Sequence, residues 1–242
     1  MNQKKIIVAL DVDTSEKAVD LVRQLKDDVG AFKVGLELVN SAGFDVFDRI
    51  RTAGAKKIFY DCKFLDIPNT VAGASRAVAS KGLWMFNVHC SGGAAMMKAA
   101  RDAAVQSAEQ LNVDPPKVIG VTLLTSIDQA QLNCELGVDR SVADHVTRMA
   151  RLAKDAGLDG VVASPHEIEL VRAACGKGFL IVTPGVRPPG SEAGDQKRVM
   201  TPKQAVEKGA DYLVIGRPIT KAADPAEAAR QMGRAVEAAT PA

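Results

Sequence analysis

Three charged residues close together, Asp61, Lys63 and Asp66, carry the strongest chemical signal in this sequence. Asp61 and Lys63 are two residues apart at the end of the run 57–60, so in a strand their side chains point to the same side of the sheet. Asp66 follows three residues later, beyond the expected end of that strand. A lysine held between two carboxylates stays charged and keeps its proton in one place. The spacing predicts a site that faces a negative charge and then delivers one proton.

A structural salt-bridge cluster is the alternative interpretation of these residues, because ion-pair networks also occur where no chemistry takes place. Two further charged residues argue against it. Asp11 follows the first apolar run of the chain, and Lys33 lies within the second. Charges in otherwise apolar strands are costly unless they are paired, so this set indicates a built site.

Eight short apolar runs alternate with helical stretches along the chain. Such continuous runs are typical of parallel strands that are buried on both faces. The predicted strands cover 6–12, 31–36, 57–63, 85–90, 117–124, 160–164, 179–183 and 212–216. The predicted helices cover 15–29, 71–81, 94–112, 142–156, 165–175, 202–208 and 225–238.

This alternation favours a (β/α)8 TIM barrel with a single domain over residues 1–242. An open doubly wound sheet is the competing architecture. It usually carries a GxGxxG turn after its first strand, where this chain has Ala9-Leu10-Asp11-Val12-Asp13.

Composition excludes several classes of protein. The chain has 242 residues, 47% of them apolar and 25% charged, as expected of a globular protein. A net charge of +2 is too small to indicate nucleic acid as the main partner. No apolar run approaches the roughly 20 residues of a membrane span. Four scattered cysteines without CxxC spacing argue against a zinc site and predict a cytoplasmic location.

A second group of residues predicts phosphate binding. In barrels of this kind the loops after strands seven and eight often hold phosphate. The seventh loop, 184–201, is rich in glycine and contains Arg187, and the eighth contains Gly216 and Arg217. Glycine lets backbone N–H groups approach an anion, and arginine binds it through two parallel hydrogen bonds. A flexible surface loop with solvated arginines is the alternative.

Two other candidates receive structural interpretations. His89, at the end of the fourth predicted strand, has the chemistry of a general acid or base. We interpret it as a buried partner that orients its neighbours beneath the site. Cys62 lies between Asp61 and Lys63 and therefore points away from their face, which argues against a nucleophile.

With these motifs the chain resembles the bacterial orotidine 5'-phosphate decarboxylase family nearly end to end. In two places it departs from the pattern: Leu65 stands where relatives often have His, and Cys62 where they often have Leu. The matching segments are Ala9-Leu10-Asp11, Phe32-Lys33-Val34-Gly35, Asp61-x-Lys63-x-x-Asp66-Ile67-Pro68-Asn69-Thr70, His89-x-Ser91-Gly92-Gly93, Leu124-Thr125-Ser126, Thr183-Pro184-Gly185-x-Arg187-Pro188, Gly194-Asp195-Gln196 and Ile215-Gly216-Arg217-Pro218.

The resemblance implies decarboxylation of orotidine 5'-phosphate to uridine 5'-phosphate, the last step of de novo pyrimidine biosynthesis, without metal or cofactor. Lys63 would protonate pyrimidine C6, Asp61 would lie near the substrate carboxylate, and Asp11 and Lys33 would bind the ribose, with Lys33 also anchoring Asp61. By the same resemblance, Lys33, Asp61, Lys63 and Asp66 would form the family's alternating catalytic array of lysine and aspartate. Asp66, Ile67 and Thr70 would reach into the neighbouring subunit's site of a homodimer. The other implied substrate contacts are Thr125 or alternatively Ser126 at the pyrimidine, Gln196 between base and phosphate, Pro184 beside the substrate, and Arg187, Gly216 and Arg217 at the phosphate.

Three other functions remain open at this point. The nearest is a Mg²⁺-dependent sugar-phosphate decarboxylase or aldolase of the same barrel superfamily. A Schiff-base aldolase that uses Lys63 or Lys33 is disfavoured, because a lysine flanked by carboxylates stays protonated. A barrel that binds nucleotide without turnover is the third, and no sequence feature favours it.

Overall fold

A computed structural model, which describes residues 2–188 and 200–239, closes eight parallel strands into a barrel. Each strand pairs with its neighbours in chain order, and the first strand pairs with the last. The strands are β1 (Ile6–Ala9), β2 (Ala31–Val34), β3 (Ile58–Phe64), β4 (Met85–His89), β5 (Lys117–Val121), β6 (Gly160–Val162), β7 (Leu180–Thr183) and β8 (Tyr212–Ile215). The predicted (β/α)8 TIM barrel is confirmed; the single domain over residues 1–242 stays a prediction.

Helices connect the strands and cover the outside of the barrel. Three of them begin at the predicted start signals, because Thr14, Thr201 and Asp224 each accept a hydrogen bond from the backbone N–H three residues later. The helices are α1 (Ser15–Leu25), α2 (Leu36–Ala42), α3 (Val46–Ala53), α4 (Pro68–Ser80), α5 (Gly93–Leu111), α6 (Gln129–Cys134), α7 (Val142–Asp155), α8 (Ile168–Cys175), α9 (Pro202–Glu207), α10 (Arg217–Thr220) and α11 (Pro225–Glu237).

The boundaries differ from the sequence prediction in two ways. β1 and β5 end three residues earlier than predicted, because buried residues such as Leu10 and Leu123 continue the apolar pattern beyond the last strand pairing. The prediction also missed four short helices, which are α6, α10, and α2 and α3 in the connection between β2 and β3. Of these, α2 and α3 end at glycines with positive φ, Gly43 and Gly54, so neither shows a long apolar periodicity.

Alternate strand residues build two separate cores. Outward-facing side chains such as Phe32 and Phe86 pack against the helices. Inward-facing side chains such as Phe59, Met85 and Ile119 fill the barrel. Because the inward layer fills the barrel centre, the groups above it at the carboxyl ends of the strands remain available to a ligand. Within the described residues, no helix is long and apolar enough to cross a membrane.

Candidate active site

A pocket of about 660 Å³ opens at the carboxyl ends of the barrel strands. Its volume suits a small-molecule ligand. Inward-facing apolar residues, among them Ala9, Phe59 and Val214, form part of its lining. Its charged lining residues are Asp11, Lys33, Glu37, Asp61, Lys63, Arg187, Arg217 and Lys221.

Lys33, on β2, lies between two carboxylates. Its Nζ is 2.9 Å from Asp11 Oδ1 and 3.3 Å from Asp61 Oδ2, and only 9% of its side chain is exposed. Burial disfavours the charged amine, but the carboxylates of Asp61 and Asp11 outweigh burial and raise the pKa of Lys33. Lys33 is therefore a fixed cation that holds two carboxylates in place.

Asp61 links Lys33 to Lys63. The Nζ atom of Lys63 is 2.7 Å from Asp61 Oδ1. Burial favours the neutral acid, yet the two lysines hold the pKa of Asp61 at about 2. Asp61 is thus ionised at neutral pH and fixes the ammonium of Lys63. Both lysines line the pocket, and the side chain of Lys63 is the more accessible to a bound molecule, at 29% exposed against 9% for Lys33.

Lys63 occupies an irregular part of β3. Tyr60 pairs with Phe86 and Phe64 pairs with Val88, so three residues of β3 lie opposite a single residue of β4. Lys63 has φ +51°, a left-handed conformation that a non-glycine residue adopts at a free-energy cost. Bulges next to active sites re-aim side chains. Asp61 and Lys63 therefore meet through a bulge, and not through the regular strand that the sequence predicted.

Asn87, the single residue opposite the bulge, is a site residue that the sequence analysis missed. It is fully buried. Its Nδ2 donates to Asp61 Oδ1 at 2.7 Å, and its Oδ1 accepts from the Lys63 backbone N–H at 2.7 Å. Its main-chain oxygen accepts from Cys62 Sγ, which points away from the pocket as predicted. A polar residue at an inward position of an apolar strand was the available signal.

His89 does not take the orienting role predicted for it. That role falls to Asn87, which makes the hydrogen bonds to Asp61 and Lys63. Burial lowers the pKa of His89, and the nearby charge of Lys63 lowers it further. At neutral pH His89 is consequently an uncharged neighbour of the charged array.

The sequence pattern placed Lys63 between Asp61 and Asp66, but Asp66 does not take that position within one chain. β3 ends at Phe64, and the chain then turns towards α4. In this turn Asp66 Oδ1 accepts from the Ile67 backbone N–H at 2.6 Å. Among the described residues of one chain, Lys63 forms its ion pair with Asp61 and none with Asp66. The lysine flanked by two carboxylates is therefore Lys33.

The segment after β3 is strongly exposed. Ile67 is 68% exposed and Leu65 is 56% exposed, while Asp66 and Thr70 are also exposed. None of these four residues lines the pocket of its own chain. This segment therefore presents two large apolar side chains, next to an acidic residue, on the outside of its own chain.

The predicted phosphate residues come together at one side of the pocket. Pro184, Arg187, Gly216 and Arg217 all line it. Burial lowers the pKa of Arg187, and repulsion from the charge of Arg217 lowers it further. Two cations that line one pocket favour the binding of an anion there. The predicted contact Gln196 lies outside the described residues.

One further glycine and two hydroxyl residues also line the pocket. Gly185 has φ +77°, which side chains rarely adopt, so a glycine is needed where the loop turns after β7. Thr125 and Ser126 both line the pocket in the loop after β5. The structure thus brings both alternatives for the pyrimidine contact to the pocket wall.

Replacing Lys33 with methionine removes the central cation with little loss of volume. We expect the free energy of unfolding to fall by about 3 kcal/mol, because one partner of a buried ion-pair network is lost. The lowered pKa of Asp61 gives stability that is present above 3.8 and is lost as pH falls towards 2. With Lys33 gone this stabilisation shrinks, so acid unfolding should begin at higher pH.

Urea unfolding at pH 7 and acid titration measure both effects. The matched control is Lys117→Met. The Lys117 side chain is 49% exposed where it pairs with Asp159, so its loss should change stability by less than about 1 kcal/mol. Equal losses in both variants would contradict a special role for Lys33.

Comparison with known proteins agrees with this geometry. Residues 4–232 match the Orotidine 5'-phosphate decarboxylase / HUMPS family. The orotidine 5'-phosphate decarboxylase of Moorella thermoacetica is 53% identical over 233 residues, which are 96% of this chain and 92% of that protein. The chain belongs to the orotidine 5'-phosphate decarboxylase / HUMPS family. The family resemblance predicted from the motifs is confirmed.

Other similar proteins carry the same family name. The orotidine 5'-phosphate decarboxylase of Syntrophomonas wolfei is 51% identical over 94% of this chain and 95% of its own length. The crystal structure of orotidine 5'-phosphate decarboxylase from Lactobacillus acidophilus superposes with a TM-score of 0.84 at 38% identity, covering 96% of this chain and 98% of that one. Both matches span the barrel and its pocket, so the likeness extends beyond the shared motifs.

Proposed function

We propose that this chain decarboxylates orotidine 5'-phosphate to uridine 5'-phosphate, the last step of de novo pyrimidine biosynthesis. One observation carries the proposal. The ammonium of Lys63, fixed 2.7 Å from Asp61, shares a pocket with the cations Arg187 and Arg217. A proton donor at one side and an anion site at the other fit a substrate with a reactive ring and a remote phosphate.

The proposed substrate orientation follows from the charges. The phosphate binds Arg187 and Arg217, with the backbone of Gly216 alongside. The ribose hydroxyls bind Asp11 and Lys33. The pyrimidine ring then reaches Lys63 and contacts Thr125, Ser126 or both, and Pro184 packs beside it. Gln196 is proposed to bridge base and phosphate on the basis of its sequence motif alone.

The reaction requires a stabilised carbanion. The bond from C6 to the carboxylate breaks, CO₂ leaves, and the electron pair stays on C6. The ammonium of Lys63 stabilises this charge because it is already oriented before the reaction starts. It then transfers a proton to C6 and regains one from solvent. The carboxylate of Asp61 repels the substrate carboxylate, and this repulsion disappears as CO₂ departs.

An ultraviolet assay tests the proposal. Purified protein is mixed with orotidine 5'-phosphate in excess EDTA, and the conversion of the orotate to the uracil chromophore is followed. We expect turnover in EDTA, since Lys63 and Asp61 supply the chemistry. Turnover only on a sugar phosphate with added Mg²⁺ would overturn the proposal in favour of the Mg²⁺-dependent alternative, which the family relatives reported above do not favour.

We also propose that two copies of the chain share their active sites. The support is the exposed segment after β3, where Leu65 and Ile67 flank Asp66, and Asp66 accepts from the Ile67 N–H and forms no ion pair with the Lys63 of its own chain among the described residues. In a symmetric dimer this segment reaches the partner's pocket and brings Asp66, Ile67 and Thr70 to the substrate. Lys63 then acquires its second carboxylate from the partner.

Mixing two inactive variants tests the shared site. Lys63→Ala and Asp66→Ala are each expected to be nearly inactive as homodimers. After subunit exchange, half of the dimers are mixed and carry one intact site, so about one quarter of the wild-type activity should return. Return of no activity, with exchange confirmed by mass spectrometry, would contradict sharing. Mixing Lys63→Ala with Lys33→Ala is the control, because both changes damage the same side of each site.

The proposed cellular location is the cytoplasm. All four cysteines are free thiols, and three of them, Cys62, Cys90 and Cys175, are buried. Free thiols persist in a reducing compartment, where disulfides are rare.

A further inference from the structure

We propose that Asn87 is a positioning residue that sets the geometry of the catalytic pair Asp61 and Lys63. The inference rests on the proposed decarboxylase function and deepens it. Asn87 does not line the pocket and does not reach the substrate. It acts on the reaction through the two residues that do, and nothing in the family motifs of the sequence pointed to it.

The bulge in β3 is what makes this residue necessary. Between the Tyr60–Phe86 and Phe64–Val88 pairs, Asp61, Cys62 and Lys63 face only Asn87. Parallel pairing cannot satisfy the backbone groups of three residues with those of one. The Lys63 N–H would be left without a strand partner, and the Asn87 side chain accepts its hydrogen bond instead.

The carboxamide fits this position in only one orientation. Its NH₂ group faces the Asp61 carboxylate, and its carbonyl oxygen faces the Lys63 N–H, each at 2.7 Å. A flipped amide would place oxygen against carboxylate and NH₂ against N–H, which is repulsive at both ends. One neutral side chain therefore supplies a donor and an acceptor to two adjacent points of the bulge. Because this buried carboxamide forms both of its hydrogen bonds, it is rigid.

The two hydrogen bonds act on the reacting groups directly. Asp61 Oδ1 accepts hydrogen bonds from both Asn87 Nδ2 and Lys63 Nζ. The amide of Asn87 therefore holds in place the carboxylate oxygen that orients the Lys63 ammonium. The bond to the Lys63 backbone holds this residue at φ +51°, from which its side chain enters the pocket. Without Asn87 the strained backbone is free to relax, and the ammonium moves away from C6.

Asn87→Ala is the first test. We expect kcat to fall about 100-fold, because a misplacement of about 1 Å costs a factor of this size. KM for orotidine 5'-phosphate should change by less than about threefold, because the phosphate and ribose contacts are intact. The matched control is Val88→Ala, the next residue of β4, which is fully buried and faces the helices. It loosens the same strand and should retain kcat.

Asn87→Asp is the second test and preserves side-chain volume. The introduced carboxylate still accepts a hydrogen bond from the Lys63 N–H, but it repels the carboxylate of Asp61. The two carboxylates can therefore hydrogen-bond to each other only when they share a proton. The ratio of variant to wild-type kcat should therefore rise as pH falls. The charged or titratable groups around this position are Asp61, Cys62 and Lys63 from β3, Lys33 from β2 and His89 on β4, and the wild-type profile corrects for their titration.

The outcomes separate this inference from the proposed function. Wild-type protein without turnover would overturn the decarboxylase proposal; the positioning role is then judged by a crystal structure of Asn87→Ala. There we expect Lys63 to leave the positive φ region and its Nζ to move from Asp61. An active wild type, with Asn87→Ala within about threefold in kcat and the Lys63–Asp61 contact kept, would overturn the positioning role alone. Loss of kcat in Val88→Ala to the same degree would also overturn it.

Discussion

Replacing Lys63 with alanine lowers kcat by an expected factor of about 10⁴ or more. The ammonium has two roles, and their typical contributions are about 10²–10³ for preorganised charge and 10²–10⁴ for proton transfer. Both are lost together, because the same Nζ atom stabilises the carbanion and protonates it. The protein should still fold, since Asp61 keeps its ion pair with Lys33. The rate of product formation in the ultraviolet assay measures the loss. The enzyme concentration must be high enough for this rate to exceed the uncatalysed background rate.

Lys98→Ala is the matched control for this experiment. Lys98 pairs with Asp102 on the exposed face of α5, so its removal should leave kcat unchanged. Binding of uridine 5'-phosphate to Lys63→Ala should persist, because the phosphate and ribose contacts remain. A loss of kcat smaller than tenfold would show that another group protonates C6.

The second large effect is expected at the other side of the pocket. Changing both Arg187 and Arg217 to alanine should lower kcat/KM by about 10²- to 10⁴-fold, because each charge-assisted hydrogen bond contributes about 1.5–3 kcal/mol. The phosphate is remote from C6, so its binding energy can be used in the transition state as well as in the complex. Steady-state kinetics at substrate concentrations well below KM give the ratio directly.

The nucleoside orotidine, which lacks the phosphate, is used as a second substrate to test whether the loss depends on the phosphate. If the two arginines bind phosphate, the double variant and the wild type should convert orotidine at similar, slow rates. Equal losses on both substrates would instead mean that the double change damaged the whole pocket. Arg23→Ala combined with Arg49→Ala is the control pair, since both arginines form exposed ion pairs on α1 and α3.

Much of the site could be predicted because parallel barrels place strand ends together. Lys33 and Asp61 occupy inward positions of adjacent strands, and alternation along each strand fixes that placement. That Arg187, Gly216 and Arg217 line one pocket was predictable for a similar reason, because the loops after β7 and β8 are neighbours in any barrel of this type; their binding of phosphate stays a prediction. For these residues, a local pattern and a known architecture determine position.

The bulge in β3 could not be predicted in the same way. It depends on how β3 pairs with β4, and the register between two strands is a property of both sequences and their packing. The position of Asn87 follows from that register, as does the left-handed conformation of Lys63. The sequence interpretation chose His89 because histidine is chemically versatile, while the contacts belong to the amide two residues earlier.

By itself, the sequence determined the barrel, the alternating charges and the phosphate loops, because each depends on side-chain periodicity or on residue types close together in the chain. The tertiary structure alone decided that Lys33, and not Lys63, lies between two carboxylates of one chain, and that Asp66 turns outward. Both outcomes depend on where a strand stops and what lies across from it. Those are contacts between distant segments, and no spacing within one segment encodes them.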